Sequence, residues 1–266
     1  MEDSLLMQTI SEQAVLVALS TIRIAVAFLV VPIFSRNSIP AIVRNTMFFA
    51  MALITIVIHP LQPIVELSTM MWAELFIKEV FLGLAVGVFY GLFLWAFEAA
   101  GVIIDTQIGM NFATSSDPII GNEATLIGTF MGRWAVYIFV GTGGLTLMVG
   151  ALLESFAIWP MLTPVDGLRL AASRLFEAEL TRFMSLAVRI AAPVMIVLFL
   201  IDLVLGFINR STQHFNVFFL SISIKGLAAI VLLIVIVPIY VELIVSEMAT
   251  KTGQVENYIR TLIIGN

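Results

Sequence analysis

The chain has 266 residues, 61% hydrophobic and 12% charged, with a mean hydropathy of +1.09; soluble domains carry roughly 25% charged residues, so the composition is that of a polytopic membrane protein. A net charge of −5, with no run of basic residues among its 13 Lys and Arg, argues against a nucleic-acid partner, because phosphate recognition needs clustered cations. The absence of cysteine excludes disulfide and thiolate chemistry, and two histidines far apart in sequence, His59 and His214, give little basis for a metal site.

The opening stretch, MEDSLLMQTISEQ, is acidic and polar. A cleaved signal peptide has a basic start followed at once by a short apolar core, so residues 1–13 read as mature chain and the first apolar segment as retained. A helix needs about 20 predominantly apolar residues to cross a bilayer. Six segments are candidates: Ala14–Phe34, Thr46–Ile58, Trp72 to about Ile108, Ala124–Leu153, Ala187–Ile208 and Val217–Val241. The second is short. The third is overlong, roughly 55 Å at 1.5 Å per residue against a hydrocarbon core of roughly 30 Å, so the sequence predicts either a protruding helix or a break near Glu98–Gly101. After that segment the chain turns abruptly polar, GMNFATSSDPIIG from Gly109 to Gly121.

Pro32, Pro40, Pro60, Pro63, Pro118, Pro160 and Pro164 fall near predicted helix ends, while Pro193 and Pro238 fall inside predicted helices and imply kinks. The stretch Thr163–Phe183 alternates charge with apolar residues at helical spacing. It reads as an amphipathic helix joining an N-terminal part to a C-terminal hairpin, which gives three regions: 1–160, a linker at 161–184, and a hairpin and tail at 185–266. The positive-inside rule gives no consistent orientation, because strict alternation of six spans puts Arg169, Arg174 and Arg182 on the side opposite Arg36 and Arg44. Either a span is miscounted or the chain does not sit in the bilayer as an ordinary bundle.

Ionisable residues inside spans are costly and face protein, water or one another. Here they are Arg23, Lys78, Glu79, Glu98, Asp105, Arg133, Asp202 and Lys225. Counting from a turn near Thr212 places Asp202 and Lys225 at similar depth, and counting from Ser116 does the same for Glu98 and Arg133. Two ion pairs are therefore expected. A charge swap at Asp202 and Lys225 should restore the first. The alternative to structural pairing is a proton relay, but these residues form no continuous acidic chain along one face. Gly83, Gly87 and Gly91 recur every four residues, a stripe that lets a second helix approach closely. The glycines of VGTGGLTL lack the strand and β-α-β context of a phosphate loop. No nucleophile, base and orienter can be assembled, so an enzyme is not expected and no cofactor is implied. Met110, at the mouth of the polar segment, is either an adaptable sealing side chain or ordinary packing.

Four stretches, in order, resemble the SctT/FliR family, whose members include SpaR, YscT and HrcT. They are TIRIAVAFLVVPIFSRNSIPAIVR with Arg23, Pro32, Ile39, Pro40 and Arg44; EAAGVIIDTQIGMNFATSSDP with Glu98, Gly101, Gln107, Gly109, Ala113, Asp117 and Pro118; LLESFAIWP with Ser155, Phe156 and Pro160; and IDLVLGFINRSTQHFNVFFLSISIK with Gly206, Arg210, Asn216, Val217, Phe218 and Lys225. Asp105 in IDTQ and the GNEATLIG after Pro118 look more like the injectisome branch than the flagellar one.

The resemblance implies an all-α polytopic subunit of about six to eight tilted helices, arranged as hairpins in a helical hetero-oligomeric export gate of type III secretion. It implies SctR-like and SctS-like partners (FliP and FliQ in flagella), with SctU-like and SctV-like proteins nearby, in the bacterial inner membrane within the basal body. Unfolded secreted proteins would pass through and lipids would surround it. Region 1–160 would resemble the first partner and 185–266 the second. A plug would map to about Gly109–Gly121, involving Gln107, Gly109, Met110, Asn111, Phe112, Ala113, Asp117 and Pro118. Arg23, Pro32, Arg44, Gly83, Gly87, Gly91, Glu98, Asp105, Arg133, Asp202, Arg210, Asn216 and Lys225 would serve helix packing and assembly. Irregular backbone at membrane depth is tolerated only inside protein or along a watery cavity, and the plug stretch has no Lys or Arg to reach an interface. The rival from another class is a secondary transporter. Against it, the two halves show no repeat in matching positions.

Overall fold

The computed structural model describes residues 2–34, 39–58, 69–110, 125–163, 171–211 and 217–264. Every regular element among them is helical: α1 (Glu2–Val30), a 3-10 turn (Pro32–Phe34), α2 (Ala41–Ile58), α3 (Thr69–Ile108), α4 (Leu126–Gly141), α5 (Gly144–Ile158), α6 (Ala171–Ser211) and α7 (Val217–Ile264). In hydrocarbon no water is present to bond the backbone, so a spanning chain is helix or closed barrel. Five of these helices are long and apolar enough to cross a membrane, and α4 with α5 taken as one span gives a sixth.

The boundaries differ from the expected ones in instructive ways. Helix α2 begins at Ala41, where the Arg44 N–H bonds the Pro40 carbonyl at 3.1 Å, so the short second segment gains its full 18 residues by taking Arg44 into its first turns. Helix α3 runs 40 residues without a break at Glu98–Gly101, about 60 Å at 1.5 Å per residue, so it outruns the hydrocarbon. The break falls in the fourth segment instead, where Gly143, at φ 89°, separates α4 from α5. That left-handed conformation is easy only for glycine. The amphipathic stretch is not a separate helix: from Ala171 it continues into the next span, with Pro193 inside, and α7 likewise continues past Pro238 into the tail.

The chain forms two compact units. The first comprises Met1–Leu92, Gly143–Glu179 and Ala249–Asn266; the second comprises Phe93–Thr142 and Leu180–Met248. In the first, α1 packs on α2 through the Phe28 and Phe48 rings, with centroids 5.6 Å apart, and on α3 through the glycine stripe. A Cβ at Gly83 would strike the Arg23 carbonyl oxygen, and one at Gly87 would lie 2.7 Å from the Ala27 carbonyl oxygen. At Gly91 the nearest atom would be 3.5 Å away, an ordinary contact. The stripe is therefore a close approach at two of its three positions.

In the second unit, α3, α4, α6 and α7 converge on Tyr240. Its ring meets Phe97 at 5.9 Å and Trp134 at 6.4 Å, and its hydroxyl donates to the Ile190 carbonyl at 2.7 Å. A buried phenol needs such an acceptor.

Candidate functional site

The end of α3 is the best-defined polar site of the second unit. Gly109 sits at φ 93°. Its N–H bonds the carbonyls of Thr106 and Asp105, each at 3.1 Å, and the Met110 N–H reaches the Asp105 carbonyl at 3.2 Å. This is the glycine-closed Schellman termination of a helix. It leaves the Gln107 carbonyl free, and Lys225 Nζ from α7 donates to it at 2.8 Å. The ammonium sits at the negative end of the helix dipole and is paired with Asp202 Oδ1 at 3.0 Å. Asp202 also accepts from Gln107 Nε2 at 3.1 Å and Ser221 Oγ at 3.3 Å. The expected meeting of Asp202 and Lys225 therefore occurs, but the pair is asymmetric: exchanging the charges would set a carboxylate against the Gln107 carbonyl, so the swap does not recreate the site.

Asp105, from the same turn, is fully buried. Its Oδ2 accepts the Ile127 and Gly128 N–H groups at 2.9 and 3.1 Å. The first N–H groups of a helix have no partner within it, and the Thr125 side chain at the N-cap does not supply one. A carboxylate from a neighbouring helix does so instead, with the dipole in its favour. Backbone packing permits this: a Cβ at Gly101 of α3 would lie 2.5 Å from the Gly128 Cα of α4.

The first unit holds a second polar cluster, of which the sequence announced the charges but not the pairing. Arg23 and Glu79 have no exposed side-chain surface and form a two-pronged ion pair, Nε to Oε2 at 2.6 Å and Nη2 to Oε1 at 2.9 Å. Arg23 also donates to Ser155 Oγ and the Trp159 carbonyl, both at 3.1 Å, and its guanidinium lies 3.9 Å from the centroid of the Phe156 ring. Lys78, 3.2 Å from Glu79 Oε1, donates to the carbonyls of Pro160 (2.8 Å), Met161 (2.6 Å) and Thr163 (3.1 Å). Two cations and one anion leave one net positive charge, and the carbonyls at and beyond the end of α5 receive it, as helix C-termini favour. The Ser155, Phe156 and Pro160 of the third quoted stretch are thus the landing site of Arg23 and Lys78.

Other expected residues are not brought together. Glu98 and Arg133 are both exposed, and no ion pair joins them among the described residues. The count gave depth, but each residue along a helix turns the side chain through about 100°, and depth says nothing of facing. Glu98 instead lies over Gly132, where a Cβ would be 3.1 Å from its own. Arg44 is half-buried in α2, Arg210 is exposed at the end of α6, and Pro32 opens the 3-10 turn. Asn111, Phe112, Ala113, Asp117, Pro118 and Asn216 lie outside the described residues. Between α4 and α7 an apolar cavity of about 420 Å³ is lined by Phe130, Met131, Trp134, Leu233, Val237 and Tyr240 among others.

Long apolar helices carrying buried charges that are paired or hydrogen-bonded define a polytopic helical membrane protein with two polar junctions at helix ends. Residues 14–250 match the bacterial export proteins, family 1, and the chain belongs to that family, the one that includes the SctT and FliR proteins. It is 27% identical over 214 residues to Yop proteins translocation protein T of Yersinia pestis, covering 80% of this chain and 82% of the relative. It is 32% identical over 161 residues to surface presentation of antigens protein SpaR of Shigella flexneri, 60% of this chain and 61% of the relative. To flagellar biosynthetic protein FliR of Bacillus subtilis it is 28% identical over 215 residues, 80% and 83% of the two chains.

Proposed function

We propose that this chain is the SctT-like subunit of a type III secretion export gate, in the inner membrane of a bacterium, with SctR-like and SctS-like subunits as its partners and SctU-like and SctV-like proteins beside it. The observation that carries this reading is the family match over residues 14–250. The subunit would form part of the conduit for unfolded secreted proteins and perform no bond chemistry of its own. Its region 1–160 would correspond to the first partner and 185–266 to the second. The injectisome branch rests on the IDTQ and GNEATLIG stretches; a flagellar FliR homologue is the second reading, favoured by a relative of that name at similar identity.

Within the gate, residues Gly109–Gly121 would be the plug. Support comes from their place directly after the closed end of α3 and from the absence of Lys and Arg in the stretch. The test is deletion of Asn111–Ser116 in the assembled complex, with ion leak across the membrane as the readout. Leak should rise; an unchanged leak would reject the plug. A secondary transporter, the reading from another class, needs polar groups to orient its substrate, and the apolar lining of the cavity between α4 and α7 offers none besides the Tyr240 hydroxyl and the Trp134 N–H, of which the hydroxyl is already bonded.

A further inference from the structure

We infer that Asp105 is a positioning residue that fixes both ends of the segment joining α3 to α4, an inference that rests on the reading of that segment as the plug. The chain leaves α3 through Gly109 and Met110, whose N–H groups close on the Asp105 carbonyl at 3.1 and 3.2 Å. It enters α4 through Ile127 and Gly128, whose N–H groups close on the Asp105 carboxylate at 2.9 and 3.1 Å. One residue, by its main chain and its side chain, thus holds the exit and the re-entry.

The hold is stronger than an ordinary helix cap for an electrostatic reason. A buried carboxylate is costly unless it is compensated. Among the described residues no cation pairs with Asp105 and its Oδ1 has no hydrogen-bond partner, so the two N–H groups on Oδ2, the Thr125 side chain and the positive end of α4 are what compensate it. If the start of α4 moved away, the carboxylate would remain buried without those donors, and a charged acceptor left unsatisfied costs more than the bond itself gains. The charge therefore selects one docking of α4 on α3. Two further contacts act on the same junction: the Gly101–Gly128 approach removes slack between the backbones, and Lys225 holds the Gln107 carbonyl one residue before the helix ends at Ile108.

The experiment places spin labels at Thr106 and Phe130, both exposed, in the purified complex, and measures their distance distribution beside the ion leak of the same samples. The parent should give one narrow distance. Asp105→Ala should broaden or shift it and raise the leak several-fold, whereas Asp105→Asn, whose amide oxygen still accepts, should return both towards the parent. Ile127→Pro withdraws one donor at a first-turn position that tolerates proline and leaves the carboxylate in place. It should broaden the distance even if the alanine chain fails to assemble. A narrow distance in both Asp105→Ala and Ile127→Pro overturns the inference, and so does a broadened distance with no leak while deletion of Asn111–Ser116 leaks. If that deletion does not leak, the plug reading is what fails, and the distance measurement still decides whether Asp105 docks α4.

Discussion

At the scale of single residues, the two polar junctions are not equal in energy. Arg23, Lys78 and Glu79 are sealed from solvent, and a buried ion pair broken by removing one partner costs about 3–5 kcal/mol, because the other charge stays behind. Glu79→Gln should fall in that range, since it leaves two adjacent cations with only neutral acceptors; thermal unfolding of the purified complex measures it. Replacing Arg23 and Glu79 together by Met and Leu should recover part of the loss, as apolar substitutes for buried pairs often do. The recovery stays incomplete because Ser155 and the Trp159 carbonyl lose their donor. The charges themselves were legible in the sequence as ionisable residues in apolar segments. Their partners were not, because carbonyls from Trp159 to Thr163 carry no signature in the side chains that the sequence spells out.

At the scale of elements, hydropathy reads where helices exist and glycine reads where two of them touch, but neither reads the geometry of contact. The stripe of Gly83, Gly87 and Gly91 looked uniform. In the structure α1 crosses it so that the first two press on carbonyl oxygens while the third meets one, of Val30, only at an ordinary contact distance of 3.5 Å. Gly83→Ala and Gly87→Ala should therefore lower the thermal midpoint of the complex, because main chain cannot yield as the end of a flexible side chain does. Gly91→Ala should be neutral or raise it, since alanine in a helix interior gains roughly 0.5–1 kcal/mol over glycine. Equal effects at all three positions would contradict this packing. The same limit explains Glu98 and Arg133: the count along α3 and α4 fixed their depth, while the crossing of the helices, set by Gly101 against Gly128, decides which way they point. The break after α4 was missed for a related reason, as Gly141, Thr142, Gly143 and Gly144 sit in a run apolar enough to read as one span.

At the scale of the whole molecule, the exposed surface is of two kinds. Apolar side chains stand exposed along α2, α6 and α7, with Ile42 at 81%, Val57 at 85% and Phe207 at 72%; lipid alone can cover these. It cannot cover Glu98 and Arg133, which are exposed on α3 and α4. A charge facing hydrocarbon is costly, so within an apolar segment it faces water, protein or an opposite charge. The failed orientation count and the length of α3 point the same way, to helices that outrun or leave an ordinary bilayer. On the export-gate reading proposed above, a neighbouring subunit would cover both charges. Native mass spectrometry of the detergent-extracted complex should find the parent chain with two other small membrane proteins, and Glu98→Ala and Arg133→Ala should each shift mass from the complex towards the free chain. Exposed charges make no use of a partner in a self-contained transporter, so for that reading both variants would leave the mass unchanged and the chain would run alone or with copies of itself.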